Sequence, residues 1–447
     1  MKKNDILTLE IVALGADCAG IARVDGLAVF VQGALPNETV RAVIIKVTAS
    51  YAVGKLLEVI TPCAIRQTPD CGVYSQCGGC SLLHMQYEAT LEYKTQQVYD
   101  CLRRIAHIDA PIPLCVGMQH PFGYRNKSSY PVGNGVNGPT AGFFAPHSHR
   151  LISAENCLMQ PQASADIVQI TLQWMRENDI PAYDEATHTG IVRHISTRTT
   201  GQGGMAVLSV RAMPNALPKW TQMLQLAGVQ CAAVSVLPQR TNVILGSDTR
   251  YLYGNGIYEE LCNLRFKISP QSFFQVNTQQ AQVLYNLVSN YAALTGQETV
   301  LDLYCGTGTI GLVLAQNAKY VYGAEIVPEA VADAQENAVI NHIQNAEFIV
   351  ADAAQATSTL LARGIAADCI VLDPPRKGCD LPLIDAVVQA NLNRIVYVSC
   401  NPATLARDIA LFAQRGYQLD INRIQPLDMF PRTAHVETIV LLQRQSI

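Results

Sequence analysis

Several features that would assign this sequence to a simple class are missing. No run of apolar residues reaches the roughly 18 that a membrane-spanning helix needs, so no membrane association is expected. The chain has no excess of positive charge, since 32 lysines and arginines stand against 36 aspartates and glutamates. Its net charge of −4 predicts no general affinity for nucleic acid, so any surface of that kind has to be local.

A secretory signal is also missing. The first residues, MKKNDILTLEIVALGADCAG, interrupt their apolar positions with polar side chains such as Asp5 and Glu10, which predicts a folded strand. We therefore expect a cytoplasmic protein whose 14 cysteines stay reduced. Clustered cysteines in that compartment are more often metal ligands or nucleophiles than disulfides.

The pattern of apolar residues divides the 447-residue chain into three regions and predicts an α/β protein. Residues 1–61 alternate apolar and polar positions in short runs broken by turn residues, which indicates a small OB-like β-barrel. Residues 62–262 combine a long helix with strands that we expect to be antiparallel, as in an α+β domain. Residues 263–447 alternate helices with apolar strands, which predicts a doubly wound, Rossmann-like parallel sheet.

A glycine-rich loop follows the first apolar strand of the last region. In CGTGTIG, a GxGxxG pattern begins with Gly306 and Gly308 and precedes a helix, so the backbone can approach a ligand at the helix N-terminus. Glu325 ends the next strand, where it could bind both ribose hydroxyls, and Asp352 ends the third, near an adenine amino group. This arrangement serves S-adenosylmethionine and NAD alike, so an NAD-dependent oxidoreductase is an alternative.

The motif DPPR ends the fourth strand of this region. Two prolines hold the backbone stiffly, so the Asp373 carboxylate points in a set direction. A rigid acceptor of this kind suits an N–H of a base such as uracil N3. Hydride transfer does not need it, which counts against the oxidoreductase.

Cys400, in VSCNPATLARD, ends the next apolar strand and flanks the same crevice as Asp373. A thiol near a helix N-terminus can have a depressed pKa. Addition of a thiolate to carbon 6 of uracil allows carbon 5 to attack a methyl sulfonium, after which a base must remove the carbon 5 proton. Glu437, at the start of the final strand, is the predicted base, and His435 is the alternative.

The motifs CGTGTIG, DPPRKG, SCNPATLARD and HVETIVLL occur in this order, and the whole chain resembles the RNA uracil-5-methyltransferase family. Within that family it is most similar to the RumA/RlmCD group, which acts on large-subunit (23S) ribosomal RNA. The resemblance implies a class I, S-adenosylmethionine-dependent enzyme with an N-terminal TRAM domain that acts on RNA. We also expect the protein to be a monomer. Transfer RNA as the substrate is one alternative, and a non-catalytic RNA-binding scaffold is another.

The resemblance also implies roles for individual residues. Cys400 would be the nucleophile and Glu437 the base, while Asp373 would bind the uracil and Phe273 would pack against it once the nucleotide is flipped out. The residues implied to bind the methyl donor are Gln275, Tyr304, Gly306, Gly308, Thr309, Glu325, Asp352 and Asp373.

A cysteine cluster precedes the long helix. Cys71, Cys77 and Cys80 have C-x5-C-x2-C spacing on a glycine-rich loop, which can hold zinc or an iron–sulfur cluster. The candidates for a fourth ligand are Cys63, Cys101, Cys115 and Cys157. The family resemblance implies Cys157 and a [4Fe-4S] cluster. Since methyl transfer needs no electron, we expect a structural or RNA-contact role for it.

Local basic and aromatic residues could supply the RNA-binding surface. The predicted set is Tyr124, Arg125, Asn126, Lys127, Arg193, His194, Arg198, Lys377 and Arg407.

Overall fold

The computed structural model describes residues 1–445. The helices in this part of the chain are α1 (Tyr87–Ile105), α2 (Gln162–Glu177), α3 (Leu217–Leu226), α4 (Thr278–Ala292), α5 (Thr309–Ala315), α6 (Pro328–Ile340), α7 (Ala353–Ala362), α8 (Leu381–Gln389) and α9 (Pro402–Ala413). No helix within residues 1–445 combines the length and apolar character that crossing a bilayer requires.

The first sheet closes on itself. Its strands are β1 (Ile6–Glu10), β2 (Ala13–Leu14), β3 (Ala19–Val24), β4 (Leu27–Gln32), β5 (Thr39–Val47) and β6 (Tyr51–Thr61), in the order β1-β5-β6-β4-β3-β2. Strand β1 pairs with β5, whereas β2, which continues it, pairs with β3 at the opposite edge. The two edges therefore meet through one bent segment, as in a barrel. Alternate residues such as Val29 and Val31 are fully buried, which confirms the predicted small barrel.

The second sheet carries helices on one face. Its strands are β7 (Lys127–Gly135), β8 (Gly138–Phe144), β9 (Leu151–Ser153), β10 (Val192–Thr200), β11 (Gly203–Val210), β12 (Val229–Val236) and β13 (Thr249–Tyr253), in the order β13-β12-β11-β10-β7-β8-β9. The expectation of antiparallel strands throughout is wrong for β11 and β12, which run parallel. They do so because α3 lies between them in sequence and provides the crossover that a parallel pair needs.

A hairpin of β14 (Ile257–Leu261) and β15 (Leu264–Ile268) leads into the third sheet. The strands of that sheet are β16 (Thr299–Leu303), β17 (Tyr320–Glu325), β18 (Ala346–Val350), β19 (Cys369–Leu372), β20 (Arg394–Ser399), β21 (Tyr417–Leu427) and β22 (Glu437–Arg444). They lie in the order β18-β17-β16-β19-β20-β22-β21. The first five are parallel, and β22 is antiparallel to both of its neighbours. This confirms the predicted doubly wound sheet, whose order reverses beside β16, where such sheets bind ligands.

Helix α1 packs against the third sheet although it lies in the region assigned to the middle domain. Val98 and Leu102 share one apolar core with Leu405 and Phe412 of α9. Nearer the middle of the helix, the buried ammonium of Lys94 pairs with the buried carboxylate of Asp428. The domain boundaries 1–61, 62–262 and 263–447 remain a prediction. Helix α1 shows that a segment of the middle region can pack in the core of the C-terminal sheet.

Candidate active site

The predicted site residues meet along one edge of the third sheet. The carboxyl ends of parallel strands lie at the same edge, and β22 begins there because it is antiparallel. The predicted residues at or just beyond these strand ends are Tyr304, Glu325, Asp352, Asp373, Cys400 and Glu437. The fold therefore brings together residues that were predicted, on separate motifs, to bind the cofactor or act in catalysis.

The two glycines of the loop after β16 serve different needs. Gly306 has a φ of +53°, and a Cβ built there would meet no other atom of residues 1–445 within 4 Å. This position therefore leaves an open backbone face for a ligand. Gly308 has a φ of +76°, and a Cβ there would come within 2.9 Å of both Ala334 and the Phe348 ring. Close packing thus requires glycine at Gly308.

Glu325 is held beside this loop by backbone donors. Its Oε1 accepts hydrogen bonds from the amides of Ile326 (2.8 Å) and Val327 (3.0 Å), and its Oε2 accepts one from Gly306 (3.3 Å). The carboxylate is therefore oriented where a ribose of an adenosyl ligand could bind. Asp352 accepts a hydrogen bond from the Ala354 amide (3.0 Å) and caps α7, which by itself explains an acid at this position.

Residues 269–277 are clamped between the second sheet and the glycine loop. Asn126 donates from its backbone to the Val276 carbonyl (2.8 Å) and from its side chain to the Gln275 carbonyl (3.0 Å). Thr307 of the loop donates to the Phe273 carbonyl (3.2 Å). The Gln275 side-chain amide forms no hydrogen bond within residues 1–445, so it is free for a ligand. The Phe273 ring is 66% exposed, as an aromatic platform for a base would be.

Cys400, Glu437 and Asp373 lie close enough to change one another's ionisation. Burial raises the pKa of Glu437, and the Asp373 carboxyl raises it further. Burial also raises the pKa of Asp373. Two neighbouring buried carboxyls do not both ionise readily, so one of them should hold a proton near neutral pH. The Cys400 thiol has its pKa raised to about 11 by burial and by both carboxyls. The expectation of a depressed thiol pKa is therefore wrong, because burial and the two carboxyls raise it.

Arg376 belongs to this group and was not assigned a role from sequence. Its charge acts against the raised pKa values of Cys400 and Glu437. Its Nη2 lies 3.3 Å from Nε2 of His435, whose pKa is lowered by burial and by this and other cations. Asn401 and Thr404 both donate to the Arg376 carbonyl at 3.2 Å, which ties the DPPR and SCNP loops together. In the sequence, the indication that Arg376 belongs to the site was its position as the last residue of the DPPR motif.

Asp302 is a second group to which the sequence patterns assigned no role. It lies inside β16 and is fully buried, and its carboxyl oxygens have no hydrogen-bond partner among the described residues. Burial raises its pKa to about 8, so it should be mostly neutral at pH 7. An acid inside the apolar strand VLDLY was the signal for it.

The four predicted ligand cysteines lie near one another. Burial is the main cause that raises the pKa of the Cys80 thiol to about 12, and the charges of Cys157, Cys77 and Cys71 raise it further. The other candidates are elsewhere, since Cys101 and Cys115 pack in the core of the third sheet and Cys63 contacts Glu38. All are free thiols.

The cysteine pocket fits a metal centre only in part. Within residues 1–445 no group of three or more cysteine, histidine or acidic side chains is arranged to hold a metal ion. However, the charge of Arg432 opposes the rise in the Cys80 pKa, and the buried Nε of Arg432 has no partner in the described chain. Thiolates bound to a cluster would provide negative charge beside this donor. A multi-atom cluster also separates its ligands more widely than a single ion does.

The predicted RNA surface needs correction. Arg193 is 4% exposed and donates to the carbonyls of Leu237 (3.1 Å), Gln239 (2.8 Å) and Thr241 (2.5 Å). Arg198 is 2% exposed and donates to the Ser272 carbonyl. The prediction that Arg193 and Arg198 belong to an exposed RNA-binding surface is therefore wrong.

Four other members of that set also have internal partners or no charge. Asn126 is buried and donates to the Val276 and Gln275 carbonyls. Burial lowers the pKa of His194 to about 4, so this side chain is neutral. Tyr124 is buried against the Pro431 carbonyl, and Arg407 donates to the Lys377 and Cys379 carbonyls. Arg125, Lys127 and Lys377 remain at least partly exposed.

Comparison with known proteins agrees with this geometry. A family model described as tRNA (uracil-5-)-methyltransferase matches residues 259–445, and a TRAM domain model matches residues 2–57. RNA methyltransferases of Clostridium tetani and Halalkalibacterium halodurans are each 42% identical to the chain. The alignments cover 99% of this chain and 97% and 98% of those proteins, respectively.

A solved structure is similar over almost the whole length. The Pyrococcus abyssi tRNA (uracil-54, C5)-methyltransferase in complex with S-adenosyl-L-homocysteine superimposes with a TM-score of 0.79 at 25% identity. The match covers 97% of this chain and 99% of that one. These relationships overturn the NAD-dependent oxidoreductase alternative. The chain belongs to the S-adenosylmethionine-dependent RNA (uracil-5-)-methyltransferase family and carries an N-terminal TRAM domain.

Proposed function

We propose that the protein methylates carbon 5 of a uridine in RNA through a covalent bond between Cys400 and carbon 6 of the base. Glu437 then removes the carbon 5 proton. The observation that carries this proposal is the pairing of Ser399 with Thr438. Through this pairing Cys400 and Glu437 are neighbours, at the same sheet edge as the glycine loop.

The ionisation of the site supports this sequence of steps. Cys400 is a neutral thiol in the free enzyme because its pKa is about 11, so its proton must leave as sulfur adds to carbon 6. That proton passes to solvent, so that Glu437 can be ionised when it acts. Bound S-adenosylmethionine supplies an electrophilic methyl group, which carbon 5 attacks. Glu437 then takes the carbon 5 proton, the carbon 5–carbon 6 double bond re-forms, and Cys400 leaves.

The remaining site residues would hold the two substrates. Asp373, on its stiff loop, would bind the uracil, and the exposed Phe273 ring would pack against it. The residues proposed to bind the methyl donor are Gln275, Tyr304, Gly306, Gly308, Thr309, Glu325, Asp352 and Asp373.

We propose 23S ribosomal RNA as the substrate, on the resemblance to the RumA/RlmCD group. Transfer RNA is the second candidate, because the structurally similar Pyrococcus abyssi enzyme is a tRNA methyltransferase. Partly exposed Arg125, Lys127 and Lys377 would contact RNA phosphates.

The test is to map 5-methyluridine in RNA from cells with and without the gene. We expect that cells without the gene lack a 5-methyluridine in 23S RNA. Loss of a 5-methyluridine from transfer RNA instead would identify transfer RNA as the substrate. Cells carrying Cys400→Ala should match the deletion. Unchanged methylation in those cells would support a scaffold role and contradict the proposed mechanism.

We further propose that Cys71, Cys77, Cys80 and Cys157 bind a [4Fe-4S] cluster. Their mutual proximity and the unpartnered Arg432 donor beside them support this. Protein purified without oxygen should contain iron and acid-labile sulfide in equal amounts, and both should be lost in Cys80→Ala. Zinc in their place, or no metal at all, would contradict it.

Because one chain supplies the whole predicted site, we also propose that the protein acts as a monomer. We further propose that it is cytoplasmic. Light scattering on the purified protein should give a mass near the chain's 48.6 kDa. A dimer mass would contradict the first proposal.

A further inference from the structure

We infer that the cysteine loop, defined as residues 71–85, positions the catalytic base by bracing the segment that leads into it. That segment, residues 428–436, is called here the base-leading segment, and Glu437 follows it directly. The inference rests on the proposed role of Glu437. It assigns Ser81 as a positioning residue that acts through Glu437 and does not touch the substrate.

The loop and the segment are joined by three hydrogen bonds from one dipeptide. The backbone amides of Ser81 and Leu82 both donate to the Arg432 carbonyl, each at 3.0 Å. The Ser81 Oγ accepts a hydrogen bond from the Ala434 amide at 3.1 Å. Ala434 is three residues before Glu437, so the brace acts within one short stretch of the base.

The braced bend is one that the backbone does not adopt freely. Arg432 has a φ of +66°, which is uncommon and strained for a residue with a side chain. Such a conformation persists only where its surroundings hold it. Here both the carbonyl and the side chain of Arg432 are held.

The Arg432 side chain returns to the end of the same loop. It is 5% exposed, and its Nη1 donates to the Met85 carbonyl at 3.0 Å. Its guanidinium lies between the rings of Tyr87 and Phe122, at 5.0 and 5.2 Å from their centroids. Tyr87 in turn donates to Asp428 at 2.8 Å, which ties down the other end of the base-leading segment.

The loop has few regular contacts that could keep its own shape. Residues 71–85 contain no helix or strand longer than a single bridge. The Tyr74 hydroxyl donates to the Ser81 carbonyl (3.1 Å) and lies 2.5 Å from His84 Nδ1. Cys80 is covalently adjacent to Ser81, so whatever fixes the Cys80 sulfur also fixes the brace. The cysteine cluster is thereby linked to the base without any electron transfer.

The brace should matter mainly for one step. Glu437 acts after methyl transfer, when it takes the carbon 5 proton and Cys400 leaves carbon 6. A displaced Glu437 therefore slows release of the covalent intermediate more than its formation. A general loss of folding would slow both.

The test is Ser81→Ala, which keeps both backbone donors and removes only the Oγ acceptor. One lost hydrogen bond of about 1 kcal/mol predicts roughly fivefold slower release, seen as accumulation of a denaturation-resistant RNA adduct in single-turnover reactions. Ser81→Thr retains the hydroxyl and should restore release. Thr241→Ala is the matched control, because the Thr241 Oγ1 also accepts a backbone hydrogen bond (3.1 Å, from Val243), in the loop between β12 and β13.

A second readout needs neither RNA nor methyl donor. Amide exchange of residues 432–437 should become faster in Ser81→Ala and stay unchanged in Thr241→Ala. Equal slowing of adduct formation and release, or no difference from Thr241→Ala, would overturn the inference. Glu437→Gln in the same assay separates the two proposals. If it gives no adduct, the role of Glu437 fails; if it gives one and Ser81→Ala does not, only the brace fails.

Discussion

Glu437 and Cys400 stand side by side where two antiparallel strands meet, because Thr438 of β22 pairs with Ser399 of β20. A negative charge on Glu437 raises the pKa of Cys400, so an ionised base opposes formation of the thiolate. Burial raises the pKa of Glu437 as well, which favours its protonated form in the free enzyme. Glu437 must therefore lose that proton to solvent before it can accept the one on carbon 5.

Glu437→Gln should allow addition and methyl transfer but prevent proton removal from carbon 5. The expected result is an RNA–protein adduct that survives denaturation and migrates more slowly on a gel. The double variant with Cys400→Ala should show no adduct, since no thiol is present to form it. Absence of the adduct in Glu437→Gln itself would count against Glu437 as the base.

Alkylation of Cys400 should depend steeply on pH. With a thiol pKa of about 11, the rate should rise about tenfold per pH unit between about pH 7 and pH 9, since the thiolate is the reactive form. Arg376→Gln removes an attractive charge and should decrease the rate. Site-resolved mass spectrometry after iodoacetamide treatment measures each rate. A plateau below pH 8 in the wild type would contradict the raised pKa.

Glu325→Gln should weaken binding of S-adenosylhomocysteine by roughly 10- to 100-fold, because a hydrogen bond to a charged group contributes about 1.5–3 kcal/mol. Asp352→Ser is a useful companion, since serine also caps helices and should leave α7 intact. A loss of affinity in Asp352→Ser would then indicate contact with the ligand. Calorimetric titration measures both, and unchanged affinity in Glu325→Gln would remove that residue from the site.

Asp302→Asn should stabilise the protein at high pH. The folded-state pKa of Asp302 is raised from 3.8 to about 8. Below about pH 4 the carboxyl is therefore neutral in both the folded and the unfolded protein. As the pH rises, it ionises first in the unfolded chain, which favours unfolding. Stability should therefore fall between about pH 4 and pH 8, and asparagine should remove a loss on the order of a few kcal/mol. Thermal unfolding of both proteins at pH 5 and pH 8 tests this. An equal effect at both pH values would contradict it.

Much of the fold and of the candidate site follows from the sequence. Apolar strands alternating with helices specify a doubly wound sheet, and the motifs sit at strand ends, which that fold gathers at one edge. Gly306, Glu325, Asp373 and Cys400 can therefore be placed together from their positions in the chain alone. The barrel follows in the same way from short strands between turn residues.

Properties that depend on burial could not be predicted. Arg193 and Arg198 look like surface cations in sequence, yet both are buried and bonded to carbonyls. The thiol of Cys400 was expected to have a lowered pKa, and its neighbours raise it instead. Burial and net charge around a side chain arise from segments far away in sequence, so local spacing does not contain them.

The sequence by itself therefore determined the class of sheet, the order of its motifs and the family, because local patterns and strand ends carry that information. Only the tertiary structure decided that Ser81 contacts Ala434, 353 residues later, and that α1 packs on the third sheet. It also decided that Glu437 lies close enough to Cys400 to raise the pKa of its thiol. These relationships depend on which distant segments come into contact, and that is settled only when the whole chain packs.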